Sequence, residues 1–326
     1  MIEIKKFFTH TRLSKVTKLL LLIRSLLALP SIIQLEPTTK CNLKCKHCIR
    51  TSEVNSDISI SLFKSILKQL APKNKRKKPL LFLTGLGEPF LNPNIFHMIK
   101  YAKRLGFQVG LTSNLTIMNQ SIAKKLIATD LDFLSISIEY ADKELFEFIR
   151  EGAVFEKVLS NIQLLIQVRK QLGSNKPKIT LESVIFDNTT INQIVRLIDL
   201  AKTLRVDGIV FPAQTSPHKI HTRYNELTCL LRHLSVKVNY IKIELISPSK
   251  ICEALNRCYI TFDGKVLPCS ASVQLFPRKE YPRFQFGCLK AESFKDIWFS
   301  KRYKLFRIKV ALGLFPYLCR YCLRSK

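Results

Sequence analysis

Residues 32–48 read IIQLEPTTKCNLKCKHC, a short apolar run followed closely by three cysteines, Cys41, Cys45 and Cys48. The apolar run, residues 32–36, predicts a buried strand, and the cysteines fall in the loop behind it. Thiolates are the ligands of iron–sulfur clusters, and a four-iron cluster takes one protein ligand per iron. A loop that offers three thiols therefore predicts a cluster with one open iron, where chemistry can take place.

Two other interpretations of these cysteines stay open at this point. A structural zinc ion usually takes two cysteine pairs, or one pair with histidines. His47 could complete such a set only if the loop folded back on itself, which would strain it. The three thiols could also be unconnected.

Length and composition favour an intracellular globular protein. The chain has 326 residues, of which 47% are apolar, enough for one large α/β domain and a small appendage. Its ten cysteines gather towards the two ends of a long chain, which excludes a small secreted disulfide scaffold. Metal clusters in a reducing cytosol explain them better, so we expect a cytoplasmic protein.

The charge balance predicts attraction to polyanions. Lysine and arginine number 53 against 24 acidic residues, a formal net charge of +29. The basic residues are spread along the chain and are densest at 73–78, without the interleaved aromatics of a nucleic-acid groove. A solvated basic surface is the default interpretation, and weak association with RNA or a membrane surface is the alternative.

Residues 1–30 predict a basic amphipathic helix. Its apolar run is interrupted by Arg24 and is too short to span a bilayer. No small-residue cleavage pattern follows, so a signal peptide is not predicted. The helix would pack on the rest of the protein, which we favour, or lie peripherally on a membrane surface.

Short β-like runs alternate with helical patterns from residue 31 to about 213. This alternation predicts six βα units with a parallel sheet, too few to close an eight-stranded barrel. Residues 214–250 would connect this region to a cysteine-rich domain at 251–326. The predicted strands are 32–36, 80–84, 108–112, 133–138, 179–185 and 208–211, and the predicted helices are 61–70, 95–105, 121–128, 155–171 and 190–204.

The C-x3-C-x2-C spacing behind the first strand resembles the signature of the radical S-adenosylmethionine (radical SAM) family. Residues 83–89, LTGLGEP, resemble the glycine-rich segment that follows the family's second strand. The resemblance covers residues 31–213 and implies an α/β fold, a partial (β/α)6 TIM-like barrel. It also implies that the open iron binds SAM, that a reducing electron donor is needed, and that the 5′-deoxyadenosyl radical formed takes hydrogen from a substrate.

The same resemblance implies contacts to SAM from loops at the carboxyl ends of the strands. For several of these residues, ordinary loop capping or a surface charge is the alternative. His47 stands where relatives carry an aromatic residue, and no side chain is assigned a catalytic role. The implied SAM-binding residues are Gly85, Gly87, Glu88, Ser113, Asn114, Ser137, Glu139 and Arg150.

The carboxyl-terminal cysteines resemble those of the SPASM and twitch domains found in many radical SAM enzymes, which implies a small cysteine-rich α+β domain. Asp263-Gly264 predicts a hairpin turn between strands 260–262 and 265–267. An auxiliary 4Fe–4S cluster would be held by Cys252, Cys269, Cys319 and Cys322, with Cys258 and Cys288 in reserve and zinc as the competing metal. Full thiolate ligation would favour electron transfer.

The resulting hypothesis is a radical SAM enzyme that acts on a peptide or small metabolite by net oxidation or crosslinking. A radical SAM enzyme acting on RNA is the first alternative, motivated by the charge. The second is a non-catalytic binding protein in which both cysteine groups are structural.

Overall fold

The computed structural model describes residues 15–50, 54–72, 78–186, 188–212, 242–246, 252–314 and 316–321. Within them, ten strands form one sheet in the order β10-β9-β8-β1-β2-β3-β4-β5-β6-β7. The strands are β1 (Ile32–Leu35), β2 (Leu80–Leu83), β3 (Gln108–Ser113), β4 (Phe133–Ser137), β5 (Lys178–Glu182), β6 (Gly208–Pro212), β7 (Lys242–Ile246), β8 (Arg257–Ile260), β9 (Lys265–Leu267) and β10 (Gly287–Cys288).

Helices follow the barrel strands as the apolar periodicity predicts. Several of them begin with a side chain that accepts a backbone N–H: Asn119 from Ile122, for example, and Thr190 in a capping box with Gln193. The helices are α1 (Lys15–Leu27), α2 (Ile60–Leu70), α3 (Ile95–Arg104), α4 (Gln120–Ile127), α5 (Lys143–Ile149), α6 (Phe155–Gln171), α7 (Ile191–Thr203), α8 (Ala271–Gln274), α9 (Phe294–Phe299) and α10 (Lys301–Ala311).

The six predicted barrel strands are present and pair in parallel in chain order, which confirms the partial barrel. The sheet continues past both ends of this set. β7, which lies in the predicted connecting segment, pairs in parallel with β6. β8, from the carboxyl-terminal region, pairs in parallel with β1, so the two regions share one sheet.

Side chains alternate between the two faces of the barrel strands. One set, such as Ile33, Leu81 and Leu134, is fully buried in the core beneath the helices. The alternate set, on the concave side, is half-buried and largely polar: Gln34, Thr112, Ser135, Ser137, Thr180 and Glu182. The concave wall is therefore suited to contact a polar ligand rather than a second apolar layer.

Among the described helices, none has both the length and the apolar content needed to cross a bilayer.

Candidate active site

The cysteine loop is fixed by backbone hydrogen bonds on two sides at the carboxyl edge of the sheet. Lys44 N donates to Glu151 O at 3.0 Å, and Lys46 N donates to Ile149 O at 2.9 Å, which holds the loop on the turn behind α5. On the other side, Glu88 N donates to the carbonyl of Lys40 at 2.7 Å. The loop position is thus set before any ligand binds.

The glycine-rich segment lies against the cysteine loop so closely that a side chain would not fit. A Cβ on Gly87 would lie 2.4 Å from the carbonyl oxygen of Thr38 and 2.6 Å from that of Lys40. A Cβ on Gly85 would lie 2.5 Å from the Cγ of Glu36. Neither glycine has a positive φ, so each is explained by close approach: of backbone oxygens at Gly87, and of the Glu36 and Tyr259 side chains at Gly85.

Glu88 is buried, and its carboxylate is occupied by the protein itself. It accepts hydrogen bonds from Ser113 Oγ and Asn114 N, each at 2.8 Å, and from Phe90 N at 3.2 Å. Burial raises the pKa of Glu88, and these hydrogen bonds only partly oppose the shift. The carboxyl group therefore links the glycine-rich segment to the end of β3, and Glu88 and Ser113 partner each other.

Glu139 and Arg150 form a buried bidentate pair. The sequence predicted them as two separate contacts to SAM, but Arg150 Nη2 donates to Glu139 Oε1 at 2.6 Å and its Nε donates to Oε2. The remaining guanidinium nitrogen, Nη1, lies 4.0 Å from the Sγ of Cys45. Arg150 thus joins the end of β4 to the cysteine loop, a link that strand and helix patterns do not reveal.

Each of the three loop sulfurs lies near one nitrogen donor. Besides Arg150 at Cys45, Asn114 Nδ2 lies 4.0 Å from Cys41 Sγ and Arg50 N lies 3.4 Å from Cys48 Sγ. Hydrogen bonds of this kind offset the negative charge of cluster thiolates and tune the cluster. The donor set therefore fits an iron–sulfur cluster.

Burial raises the pKa of Cys45 to about 11, an effect opposed by Arg150, so the free thiol is protonated at neutral pH. In the described part of the chain, no group of three His, Cys, Asp or Glu side chains is placed so that it could hold a single metal ion. The ligands of a cluster bind different irons, so such convergence is not required of them.

His47 lies beside this centre with one ring nitrogen unpaired. Its Nε2 is 3.8 Å from Glu139 Oε1, and its Nδ1 is buried and makes no hydrogen bond within the described residues. The ring contacts Phe186 edge-on, with centroids 5.6 Å apart. Burial lowers the pKa of His47, which favours the neutral imidazole.

The concave wall carries a carboxyl group that the sequence analysis missed. Glu182, at the end of β5, is hydrogen-bonded to Ser135 and Thr112 and lies in register with Ser137 on β4. Burial raises its pKa, and the charge of Glu139 acts in the same direction. The sequence placed Glu182 inside a predicted strand, and only the strand register reveals which face it occupies.

A second missed group joins the barrel to the carboxyl-terminal region. The carboxylate of Glu36, fully buried behind β1, accepts from Arg278 Nη2 at 2.9 Å and from the Tyr259 hydroxyl at 3.4 Å. In the sequence, the signal for this contact was a charged residue at the end of an apolar strand. Its partners lie more than two hundred positions away, and sequence spacing cannot pair them.

The structure describes some, but not all, of the carboxyl-terminal cysteines predicted to bind a cluster. Cys252 and Cys269 are half-buried and act electrostatically on the same Tyr303 hydroxyl, whose pKa burial raises. Cys258 also acts on it but is fully buried in β8, where burial raises its thiol pKa. Cys319 is buried as well. Cys322 lies outside the described residues, so the proposed four-cysteine set stays a prediction.

Comparison with protein families decides the assignment. A model of the radical SAM superfamily matches residues 35–222, which include the cysteine loop and the strands β2 to β6. The chain belongs to the radical SAM superfamily. A second model, for the SPASM iron–sulfur cluster-binding domain, matches residues 252–323. The cofactors of this radical SAM enzyme are accordingly 4Fe–4S clusters and SAM.

Curated relatives of this radical SAM protein differ in what they act on. A tungsten-containing aldehyde ferredoxin oxidoreductase cofactor-modifying protein from Pyrococcus furiosus is 26% identical over 87% of this chain and 85% of its own length. An AdoMet-dependent heme synthase from Methanosarcina barkeri is 35% identical, but the match spans only 42% of this chain and 39% of the relative.

Solved structures share the fold of this radical SAM protein. Streptococcus suis SuiB bound to its precursor peptide SuiA matches with a TM-score of 0.70 and 16% identity, over 94% of this chain and 74% of that chain.

Proposed function

We propose that this radical SAM protein cleaves SAM reductively and abstracts hydrogen from a peptide or small-metabolite substrate, giving net oxidation or crosslinking. The observation that carries the proposal is the cysteine loop: three thiols at the open edge of a parallel sheet, each near a nitrogen donor, on a loop held from both sides. Cys41, Cys45 and Cys48 would hold the cluster. When bound, the cluster supplies the electron that splits the sulfonium bond of SAM.

The SAM-binding residues we propose fall into two groups. Backbone atoms of Gly85 and Gly87, with the side chain of Ser137, would contact SAM directly. The others would mainly position the site, because their polar atoms are engaged within the protein: Glu88 with Ser113, Asn114 with Asn42 and Thr116, and Glu139 with Arg150. In this arrangement Arg150 stabilises Glu139 and the Cys45 sulfur rather than a carboxylate of SAM.

We assign the substrate side to the concave wall. Thr112, Ser135 and Glu182 supply two hydroxyl groups and one carboxyl group, and burial raises the pKa of that carboxyl group. Such a wall suits the amide, carbonyl or hydroxyl groups of a peptide or polar metabolite. Relatives that modify a cofactor and a structural neighbour that holds a peptide support this substrate range.

We propose that the SPASM region binds an auxiliary cluster through Cys252, Cys269, Cys319 and Cys322. With four thiolates, its irons have no open position, and its role would be to accept one electron from the substrate radical that hydrogen abstraction leaves. This role accounts for a net oxidation or a bond-forming reaction. The reducing electron donor would act on the cluster at Cys41, Cys45 and Cys48.

Anaerobic reconstitution tests the assignment. Wild-type protein with iron, sulfide, SAM and a reductant should form 5′-deoxyadenosine. Cys45→Ala should abolish this product and lower the iron content, because one ligand of the SAM-binding cluster is lost. Cys319→Ala should also lose iron but keep 5′-deoxyadenosine formation, because its cluster is separate. Equal loss of the product in both variants would contradict separate roles, and none from the wild type would contradict the enzyme assignment.

An RNA substrate is the second candidate, favoured by the net charge of +29. It would require RNA binding that weakens steeply with salt, since each phosphate contact releases counterions. A gel-shift titration with structured RNA at increasing potassium chloride measures this slope. Binding that is weak or nearly independent of salt would exclude this candidate.

A further inference from the structure

Helix α1 leaves one apolar side in solvent. Leu19, Leu20, Ile23 and Leu27 recur at helical spacing on this side, and their exposed fractions run from 43% for Ile23 to 76% for Leu27. The opposite side of α1 is already packed, with Leu22 against the main core. Packing on the protein therefore accounts for only half of this helix.

Helix α10 presents a second exposed stripe. Lys301, Leu305, Lys309 and Leu312 follow one another at intervals of three or four residues and are all exposed, Leu305 by 48% and Leu312 by 65%. Leu314, just beyond the helix, is 62% exposed. The outer side of α10 thus alternates between basic and apolar side chains.

The two helices lie together. They pack against each other, and Trp298 Nε1 in the neighbouring α9 donates to Ala28 O at the end of α1 at 2.9 Å. We call their exposed apolar residues the helical patch; they are Leu19, Leu20, Ile23, Leu27, Leu305, Leu312 and Leu314. Exposed apolar side chains grouped on two contacting helices usually mark an interaction site.

The charge around the helical patch selects the partner. Neither α1 nor α10 contains an acidic residue, and Arg24, Lys301, Arg302 and Lys309 are exposed beside the patch. Two helices that expose apolar and basic but no acidic side chains are complementary to a lipid surface that offers acyl chains beneath anionic headgroups. An acidic protein would match the cations but would not require so many exposed leucines.

We propose that the helical patch docks this protein on anionic lipid bilayers. The leucines and isoleucine would enter the boundary between headgroups and acyl chains, and the lysine and arginine side chains would contact lipid phosphates. Within the described residues neither helix is long enough to cross the bilayer, so association would be peripheral and reversible. The proposal does not depend on the reaction that the enzyme catalyses.

Vesicle co-sedimentation of the reconstituted full-length protein tests the docking. Wild type should bind vesicles of phosphatidylcholine mixed with phosphatidylglycerol and bind phosphatidylcholine vesicles much more weakly. The double variant Leu27→Glu, Leu312→Glu should bind the anionic vesicles at least about tenfold more weakly, because it places two carboxylates in the patch. Both residues are exposed, so the fold should be kept.

A matched control lies on α6. Leu172, beyond its carboxyl end, is 53% exposed, and Leu172→Glu should bind anionic vesicles like wild type. Absence of binding by wild type, or equal binding by wild type and the double variant, would overturn the proposal. So would a wild-type dimer that the double variant converts to monomer in light scattering, because a second copy would then cover the patch.

Discussion

At the scale of single residues, the glycine-rich segment and the cysteine loop meet through close contacts between their backbones. Gly87 lies against the carbonyls of Thr38 and Lys40, and the N–H of Glu88 completes the contact. The cysteine and glycine motifs and their order could be predicted from the sequence because their spacing is local. The mutual pairing of Glu139 with Arg150, and of Glu88 with Ser113, could not, because it depends on where separate strands end.

Gly87→Ala should impair SAM cleavage without unfolding the protein. The new methyl group would lie 2.4 Å from a backbone oxygen, so the cysteine loop would have to move. A shift of about 1 Å in the position of reacting groups can reduce the rate about a hundredfold. Formation of 5′-deoxyadenosine measures the effect, and circular dichroism reports the fold.

The control for this substitution is Gly173→Ala. No atom lies within 4 Å of a Cβ at Gly173, so only its left-handed φ of +62° would be strained, at about 1–2 kcal/mol. Its SAM cleavage should match that of wild type. Similar rates for Gly87→Ala and wild type would contradict the backbone-contact interpretation.

At the scale of elements, Asp132 joins three parts of the barrel at the edge opposite the active site. Its Oδ2 accepts from Val109 N on β3 at 2.8 Å and from Lys103 on α3, and its Oδ1 lies 2.9 Å from Lys176 Nζ before β5. Burial acts to raise the pKa of Asp132, but these contacts outweigh it and the pKa is lowered. The ionised carboxylate therefore stabilises the fold.

Asp132→Asn should lower the free energy of unfolding at pH 7 by about 1–3 kcal/mol, because two lysines lose a buried charged partner. Since the folded pKa is lowered, this stabilisation is complete above the ordinary aspartate pKa and is lost as pH falls through the folded value. The difference in thermal midpoint from wild type should thus shrink at acidic pH. An unchanged difference would contradict the role of the charge.

The control for Asp132 is Asp199→Asn. Asp199 is exposed on α7 and pairs with Lys202, at 2.8 Å within the same helix. Its loss should change stability by no more than about 0.5 kcal/mol at either pH.

Most strands and helices of the barrel were predictable because their apolar residues recur at a clear period. Helix α5 was missed, since its two turns are too short to show that period. A strand-like run at residues 236–245 predicts a strand where β7 is found at 242–246. The position of Glu182 on the polar concave wall could not be predicted, because it depends on the register between strands. Short strands with both polar and apolar residues do not specify that register locally.

At the scale of the whole molecule, Glu36 and Arg278 connect the barrel to the carboxyl-terminal region. The arginine also lies over the rings of Phe262 and Tyr281, at 4.9 Å and 5.3 Å from their centroids. Because Glu36 is fully buried, its carboxylate depends on this partner.

Arg278→Ala should destabilise the protein by about 3–5 kcal/mol, since it leaves a buried carboxylate without its cation. Denaturant unfolding measures the loss. Arg283→Ala removes a 68% exposed side chain paired with Glu280 and should cost less than about 1 kcal/mol. Equal effects of the two substitutions would show that the Glu36 pair contributes little.

The union of the two regions in one sheet was not predictable, because the sequence treats them as consecutive domains. The parallel pairing of β1 with β8, for example of Ile33 with Cys258, shows that the last quarter of the chain extends the sheet beyond the first barrel strand. Motif spacing carries no information on such distant pairing.

The position of β8 has a consequence for biosynthesis. While the chain is being made, β1 emerges early from the ribosome, but its neighbour on that side is translated more than two hundred codons later. During that interval its free backbone groups form a template for unwanted association. Nascent chains halted before β8 should accordingly bind chaperones extensively. A chain truncated after β7 should form inclusion bodies rather than a soluble fragment.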